Sequence, residues 1–494
     1  LAVILNSCHQ KYSDQGDIPV GSMVMKKKIL VSACVLGISA SGIVSNAKAE
    51  DLNAVYKMAM TENPNISLAE EQVSEGAANQ VNAFMGYLPQ VSATFDREWV
   101  KQRIDRSDNT VFALGKGNFD NRQRTFQLQQ HIFSFETIMN IVSSDMGRMR
   151  LKESLETAKQ DVGYQAIEAY LSTLAAADDA RLARIENASM AERQVDILTR
   201  QKQGLATSYE ADLVEARLAE AEARVVATRT SYQRAFAQLQ RRVGTLPASL
   251  ATLANNVSLP KLDETDVDHW LEAALKSSPR VRAMDYSIDE RRAALAADVG
   301  QALPTFDFIF TDTRRDSGGS LFGGGSLTHE GVAMLRLNVP LFNPGGRGYE
   351  ALETRSQVDQ ARYQRAIYLR ELRETVASTI NELVNGPERI RALVKGVQTH
   401  RRIVDAVKIK FDAGQSTVLD VLDEDEDLFA MERRALAAIY SHLLNYALIH
   451  QVTGTLGDDQ ITSINQLLDP TLPMITAGTD FSQYDHDTMP ISVQ

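Results

Sequence analysis

The carboxylates that follow Gly414 are the residues of this chain whose types and spacing could do chemistry. Asp420, Asp423 and Asp427 stand at positions i, i+3 and i+7, so a helix would carry all three on one face. Acidic side chains gathered at a constriction attract cations. A solvated helix start also favours Asp and Glu, because they lie near the positive end of the helix dipole. From the residues alone, both interpretations stay open.

Other kinds of chemistry lack their residues. The two cysteines are Cys8 and Cys34, and no Walker or GxSxG pattern occurs, so we expect neither an enzyme nor a bound cofactor. Acidic residues outnumber basic ones by 64 − 52 = 12, which disfavours nucleic acid as a partner. The histidines are scattered without paired ligand spacing, so we expect no metal site. They include His131, His329, His400, His442 and His450.

Two glycines mark the turns that would position the acidic residues. Gly204 and Gly414 each suit the position just past a helix C-terminus, where glycine adopts the left-handed conformation. A serine or threonine can then cap the following helix. The candidate caps are Thr207 or Ser208 in the first turn and Ser416 or Thr417 in the second.

Each turn follows a proline-poor segment of about 70 residues, which would extend on the order of 100 Å as a helix. The mean helix of a globular protein has only about 11–12 residues. A second helix of about 35 residues follows each turn and ends near Gly244 or Gly454. The sequence therefore predicts two long helical hairpins, over 134–243 and 346–453.

The two hairpins belong to a longer internal repeat. The text from Asp51 aligns without a gap to the text from Asp266, and Pro64 falls on Pro279. Farther along, residues 127–134 correspond to 336–343, and residues 202–210 correspond to 412–420. We place repeat 1 at 50–247, a linker at 248–265 and repeat 2 at 266–456.

Each repeat also contains two predicted strands, at 89–99 and 124–133 in the first and at 304–313 and 332–342 in the second. Apolar and polar residues alternate along them, as with Phe306, Phe308 and Phe310 on one face. Roughly ten residues with one apolar face is the pattern of a transmembrane β-strand. A half-buried sheet of a soluble protein has the same pattern, and that alternative stays open.

The ends of the chain have their own character. We interpret 1–24 as a non-native upstream extension. Residues 25–49 form a secretory signal peptide, with Lys26–Lys28, an apolar stretch, and the cleavage motif Ala47-Lys48-Ala49. Residues 457–494 have no periodicity and are predicted to be a flexible C-terminal tail.

A strand pair followed by a long helical hairpin, used twice behind a signal peptide, resembles the TolC-type outer-membrane efflux and type I secretion channels. The resemblance covers about 50–456. Three motifs carry it: Leu88-Pro89 before an alternating strand; Val339-Pro340-Leu341-Phe342 leading into Gly345-Gly346; and the segment from Phe411 to Asp423, followed by Asn445 and Gly454-Thr455-Leu456.

The resemblance implies a mixed α+β membrane protein that forms a homotrimer. Each protomer would give four strands to one twelve-stranded outer-membrane β-barrel, continuous with a long periplasmic α-helical barrel. Four strands cannot close a barrel alone, because barrels need at least about eight. Sharing strands among protomers removes sheet edges that lipid does not tolerate.

The implied function is a passive exit duct in contact with outer-membrane lipid. It would receive drugs, toxic compounds or exported protein from an inner-membrane pump or ABC exporter, through a periplasmic adaptor (membrane fusion) protein. The alternative is a coiled-coil structural or adhesive envelope protein without a pore.

The resemblance also assigns a periplasmic gate to the hairpin turns. The matching positions are Phe411, Ser416, Asp420, Asp423 and, in the first repeat, Glu210. The family's best-known members have Tyr in place of Phe411 and Arg in place of Ser416, so the contacts that close the gate must differ here. Threefold symmetry would turn Asp420 and Asp423 into cation-selective rings and raise the pKa of the crowded carboxyls.

Overall fold

The computed structural model describes residues 50–106, 115–244, 249–254, 256–262, 264–321, 323–341, 347–469, 476, 479 and 492–493. The upstream extension 1–24 and the signal peptide 25–49 lie outside the described residues, as do Phe342 and Gly345-Gly346.

The two repeats have the same order of elements. In the first, these are α1 Leu52–Glu62, α2 Pro64–Met85, β1 Gln90–Ile104, β2 Gly115–Phe133, α3 Phe135–Lys202 and α4 Ser208–Val243. Short strands β3 Thr252–Leu253 and β4 Asn256–Val257 follow. The second repeat has α5 Val267–Ser277, α6 Pro279–Gly300, β5 Thr305–Ser317, β6 Ser326–Asn338, α7 Arg347–Asp412 and α8 Val418–Thr453. The chain continues with α9 Asp458–Asn465, β7 Leu468–Asp469 and β8 Ser492–Val493.

The long helices dominate both repeats. Helices α3 and α7 have 68 and 66 residues, and α4 and α8 have 36 each. Pro387 lies inside α7, and the helix continues through it. Among the described residues, no helix combines the length and the apolar composition needed to cross a membrane.

The four long strands form one antiparallel sheet in the order β1-β2-β5-β6, so β2 and β5 join the two repeats. The strands are longer at their distal ends than the sequence pattern predicts. Residues 101–104, 115–121, 314–317 and 326–331 lie between the predicted strands and are strand in the structure, with Lys101 opposite Asn118 and Arg315 opposite Thr328. Backbone pairing needs no apolar side chains, and polar residues are tolerated where both faces are exposed. At its other end, β6 stops at Asn338, before the predicted 342.

One face of the sheet is apolar and uncovered within the protomer. Phe95 is 74% exposed and Leu335 is 63% exposed. The strand register places Ala93 beside Phe126 and Phe310 beside Ala333 on this same face. A soluble monomer rarely leaves so many large apolar side chains together in water, so this face needs an apolar neighbour.

The main core lies where the short helices and the chain end pack on the middle of the long helices. Leu52, Ile167, Ile380, Ile439 and Leu443 are buried there. A helix this long buries only part of its length inside one protomer, which leaves much of α3 and α7 half-exposed.

The linker and the start of the predicted tail are part of this core. The flexible-tail prediction for 457–494 is wrong for 458–469: Ile461 and Ile464 of α9 are fully buried, and β7 pairs with β3. Asn465 binds back to the first repeat, because its Oδ1 accepts from the Leu52 amide at 2.9 Å. Residues 458–469 show no long hydrophobic periodicity in the sequence, because the single short helix α9 is enough to cover this part of the core. Most of the residues after 469 lie outside the described part.

Candidate functional site

The two hairpin turns have the same backbone. Gly204 and Gly414 have φ values of +74° and +70°, the left-handed region that disfavours side chains. The next amide closes each helix end: Leu205 donates to the Arg200 carbonyl and Gln415 to the Lys410 carbonyl, both at 2.8 Å. The turn geometry therefore has a local cause in the two glycines.

A capping box starts the helix after each turn. Thr417 Oγ1 accepts from the Asp420 amide at 3.2 Å, while Asp420 Oδ2 accepts from the Thr417 amide at 2.8 Å. Thr207 and Glu210 make the same reciprocal pair in the first repeat, at 3.2 and 2.7 Å. Thr207 and Thr417 are therefore the caps among the alternatives that the sequence left open.

Asp420 is consequently part of the turn as well as an exposed charge. Ser416 Oγ donates to Asp420 Oδ2 at 2.9 Å. The hydrogen bonds from the Thr417 amide, the Thr417 hydroxyl and Ser416 lower the pKa of Asp420. Within one protomer this shift is opposite to the raised pKa expected for a crowded ring, because three hydrogen-bond donors stabilise the Asp420 anion.

Asp423 faces the other hairpin. Arg217 of α4 lies 3.7 Å from Asp423 and 3.1 Å from Glu426, both on α8. Arg217 also lies 3.3 Å from Glu220 on its own helix. Asp423 thus takes part in a tie between the two hairpins of one protomer.

Phe411 also contacts the first hairpin. The Arg200 guanidinium lies over the Phe411 ring, with 4.5 Å between its central carbon and the ring centroid. Arg200 donates to Asp412 at 2.6 Å and to Asp196 at 2.9 Å. A cation–π contact needs no hydroxyl, so a phenylalanine can make it.

A buried ion pair lies farther from the turns. Arg193 of α3 donates from Nε to Asp425 of α8 at 2.6 Å, and the Asp425 side chain is only 3% exposed. Burial raises the pKa of Asp425, while Arg193 and Lys408 oppose that rise. Asp425 is buried, whereas Asp420, Asp423 and Asp427 of the same helix are exposed. A usable signal was its register with Val418, Leu422 and Phe429 on the buried stripe of α8.

We expect Asp425→Ala to lower the stability of the protein strongly. The substitution leaves the Arg193 cation buried without its partner, which costs about 3–5 kcal/mol. The measurement is the thermal unfolding midpoint of the helical circular-dichroism signal in detergent. Asp212→Ala is the matched control, because Asp212 is an exposed acid near the start of α4 in the first hairpin and should change little. Equal midpoints for both variants would contradict a structural role for the pair.

The structure also gathers three residues that have no ligand spacing in the sequence. Ligand atoms of His400, Glu424 and Asp427 all lie within 4.8 Å of one another. His400 Nδ1 is 3.6 Å from Glu424 Oε2, and both atoms are buried without a hydrogen-bond partner in the described part of the chain. Two helices bring the group together, and it could hold a metal ion.

The predicted gate residues therefore lie at two related turns, and they contact different partners. Asp420 and Glu210 bind their own caps, while Asp423 and Phe411 contact arginines of the first hairpin. Asp427 belongs with His400 and Glu424. Asp420, Asp423 and Asp427 are all exposed, as their common helical face predicts.

Known proteins share this organisation. The family model described as "Outer membrane efflux protein" matches residues 270–455. The outer membrane efflux protein BepC of Brucella suis is 25% identical over 441 residues, 88% of this chain and 92% of BepC. The alkaline protease secretion protein AprF of Pseudomonas aeruginosa is 23% identical over 410 residues, 82% of this chain and 84% of AprF.

Among solved structures, the Campylobacter jejuni CmeC outer membrane channel superposes with a TM-score of 0.70 at 15% identity, over 92% of this chain and 98% of that one. The fold is therefore shared across nearly the full described chain. Together with the family model over residues 270–455 and the two relatives, it confirms that this chain is similar to the TolC-type outer-membrane efflux and secretion channels.

Proposed function

We propose that this protein is an outer-membrane exit duct that extends into the periplasm. The observation that carries the proposal is the sheet: four strands with an exposed apolar face, continuous with helices of 68 and 66 residues. Such helices are about 100 Å long at a rise of 1.5 Å per residue, enough to reach far from the membrane. The relatives' names, an efflux protein and a secretion protein, support the same conclusion.

The working unit that we propose is a homotrimer. Strands β1 and β6 are the edges of the sheet in one protomer, and lipid does not tolerate unpaired edges. A barrel needs at least about eight strands, so a single protomer falls short. Three protomers would pair β1 of one with β6 of the next and close a barrel of twelve strands, and their helices would line one tunnel.

The proposed partners are a periplasmic adaptor protein and an inner-membrane pump or ABC exporter. A passive duct conducts without driving transport, so the energy would come from such a pump. Exported protein as a cargo class is supported by the name of AprF, an alkaline protease secretion protein, and BepC is named an outer membrane efflux protein. The alternative function, an adhesive coiled-coil stalk without a pore, does not account for a sheet with one exposed apolar face.

We place the gate at the hairpin turns, where the two hairpins of each protomer are tied by ion pairs. Arg193, Arg200 and Arg217 of the first hairpin bind acidic residues of the second. In the reverse direction, Arg433 of α8 binds Asp179 at 3.2 Å and also Glu186 of α3. Moving the second hairpin outward would break these contacts, and Asp420 and Asp423 would line the entrance as cation-attracting rings.

We expect the purified protein to migrate as a trimer on unheated gels, to show both β and α signals in circular dichroism, and to conduct ions across planar bilayers. The physical reason is that only the closed assembly satisfies the sheet edges and the apolar face. A heated sample of the same preparation is the control for the trimer band. A monomer in mild detergent without conductance would contradict the proposed duct.

A further inference from the structure

Two arginines stand opposite each other on the apolar face of the sheet. Arg124 on β2 is the register partner of Arg314 on β5. Within the part of the chain that the structure describes, neither guanidinium has a hydrogen bond or an ion pair. Like charges directly opposite in a sheet are destabilising, so this pair has a cost that its surroundings in the protein do not offset.

The neighbouring arginines differ from this pair. On the same face, Arg97 and Arg122 both bind Asp120, at 2.9 and 3.0 Å. On the opposite face, Arg315 donates to Gln123 Oε1 at 2.9 Å from Nε. The unpaired state therefore distinguishes Arg124 and Arg314 from Arg97, Arg122 and Arg315.

A shallow groove of about 640 Å³ connects the two guanidiniums to apolar side chains. Phe95, the register partner of Arg124 on β1, and Phe126, two residues from Arg124 on β2, line the same groove. Its carboxylate, Asp312, is engaged by His329 Nε2 at 2.7 Å. The groove thus offers two free cations next to exposed aromatic surface, which is complementary to an anionic group attached to an apolar chain.

The arginines also stand at a definite height. Arg124 lies 133 − 124 = 9 residues from the end of β2, and Arg314 lies 314 − 305 = 9 residues from the start of β5, both counted from the helical side. At about 3.3 Å per residue, that is roughly 30 Å along a strand, or about 23 Å of height at a tilt near 40°. The apolar band of an outer-membrane barrel is about 25 Å tall, so the pair reaches its far rim.

We propose that Arg124 and Arg314 bind the phosphate of an outer-leaflet lipid headgroup, with the acyl chains lying against Phe95 and Phe126. Guanidinium groups bind phosphate with paired, charge-assisted hydrogen bonds, and two of them balance a phosphate monoester dianion. The proposal rests on the membrane-spanning trimer of the proposed function. It adds a specific lipid site to the outside of the duct.

The test compares the wild type with Arg124→Gln/Arg314→Gln and with the control Arg315→Gln/Arg336→Gln. The control removes the same charge from the other face of the sheet. Each trimer is reconstituted in phosphatidylcholine nanodiscs doped with lipid A, released into detergent and weighed by native mass spectrometry. We expect the first variant to retain about tenfold less lipid A or lower, and the control to retain the wild-type amount.

Equal retention by all three proteins would overturn the lipid site. Inorganic phosphate is added in a separate arm, and full displacement of lipid A by millimolar phosphate would also overturn it, because the acyl contacts would then contribute nothing. Trimer migration and conductance are recorded on the same samples. Loss of both in the wild type would contradict the duct itself, whereas intact channels with unchanged lipid retention would contradict only this site.

Discussion

Asp420→Ala/Asp423→Ala channels should lose their block by trivalent cations added from the periplasmic side. In the proposed trimer the two positions form two rings of three carboxylates each at the entrance, and a multivalent cation is held there by their combined field. If each ring contributes about tenfold to binding, the blocking concentration rises on the order of 100-fold. Single-channel recording in planar bilayers measures it directly, and the wild type should be cation-selective.

The experiment must separate two roles of Asp420, because its side chain both carries a charge and caps the helix. Its carboxylate closes the capping box with Thr417, so alanine removes both the charge and the cap. Asp420→Asn/Asp423→Asn keeps hydrogen-bonding side chains and removes only the charge. Both double variants should lose the block to a similar extent.

Asp212→Asn is the matched control, since Asp212 is an exposed acid near the start of α4 that is not among the proposed gate positions, and the block should be unchanged. A block that survives in the asparagine variant but disappears in the alanine variant would assign Asp420 to the turn alone. Unchanged block in both would remove Asp420 and Asp423 from the selectivity site.

The second large effect is expected at the arginines that tie the hairpins together. Arg193→Gln/Arg200→Gln/Arg217→Gln should raise the conductance of the closed channel on the order of tenfold or more. The exposed pairs of Arg200 and Arg217 are each worth about 0–1 kcal/mol, whereas removal of one partner from the buried Arg193–Asp425 pair costs about 3–5 kcal/mol. The buried pair should therefore dominate the opening.

That ranking can be measured. Arg200→Gln/Arg217→Gln should open the channel only slightly, and high salt should mimic it because salt screens exposed pairs far more than buried ones. Arg229→Gln, an exposed arginine of α4, is the control that changes charge without breaking a tie. If the triple variant conducts like this control, the ties within the protomer do not hold the gate.

Local rules predicted the elements of the fold well where the responsible residues are neighbours. The glycine turns and the Thr–acid pairs lie within a few residues of one another, so their geometry follows from local conformation and capping. The distal strand segments were missed because their residues are polar, and strand pairing there depends on a partner strand. Residues 458–469 were missed for the same reason: their burial depends on a core built from distant helices.

The candidate site divides in the same way. The sequence by itself determined the duplication, the positions of both turns and the acidic face of α8, because these depend on spacing along one chain. Only the tertiary structure decided that Arg193 meets Asp425, that Arg200 lies over Phe411, and that β2 pairs with β5. Those partners are far apart in the chain, 232 positions for Arg193 and Asp425, and they meet because packed helices and paired strands bring them together.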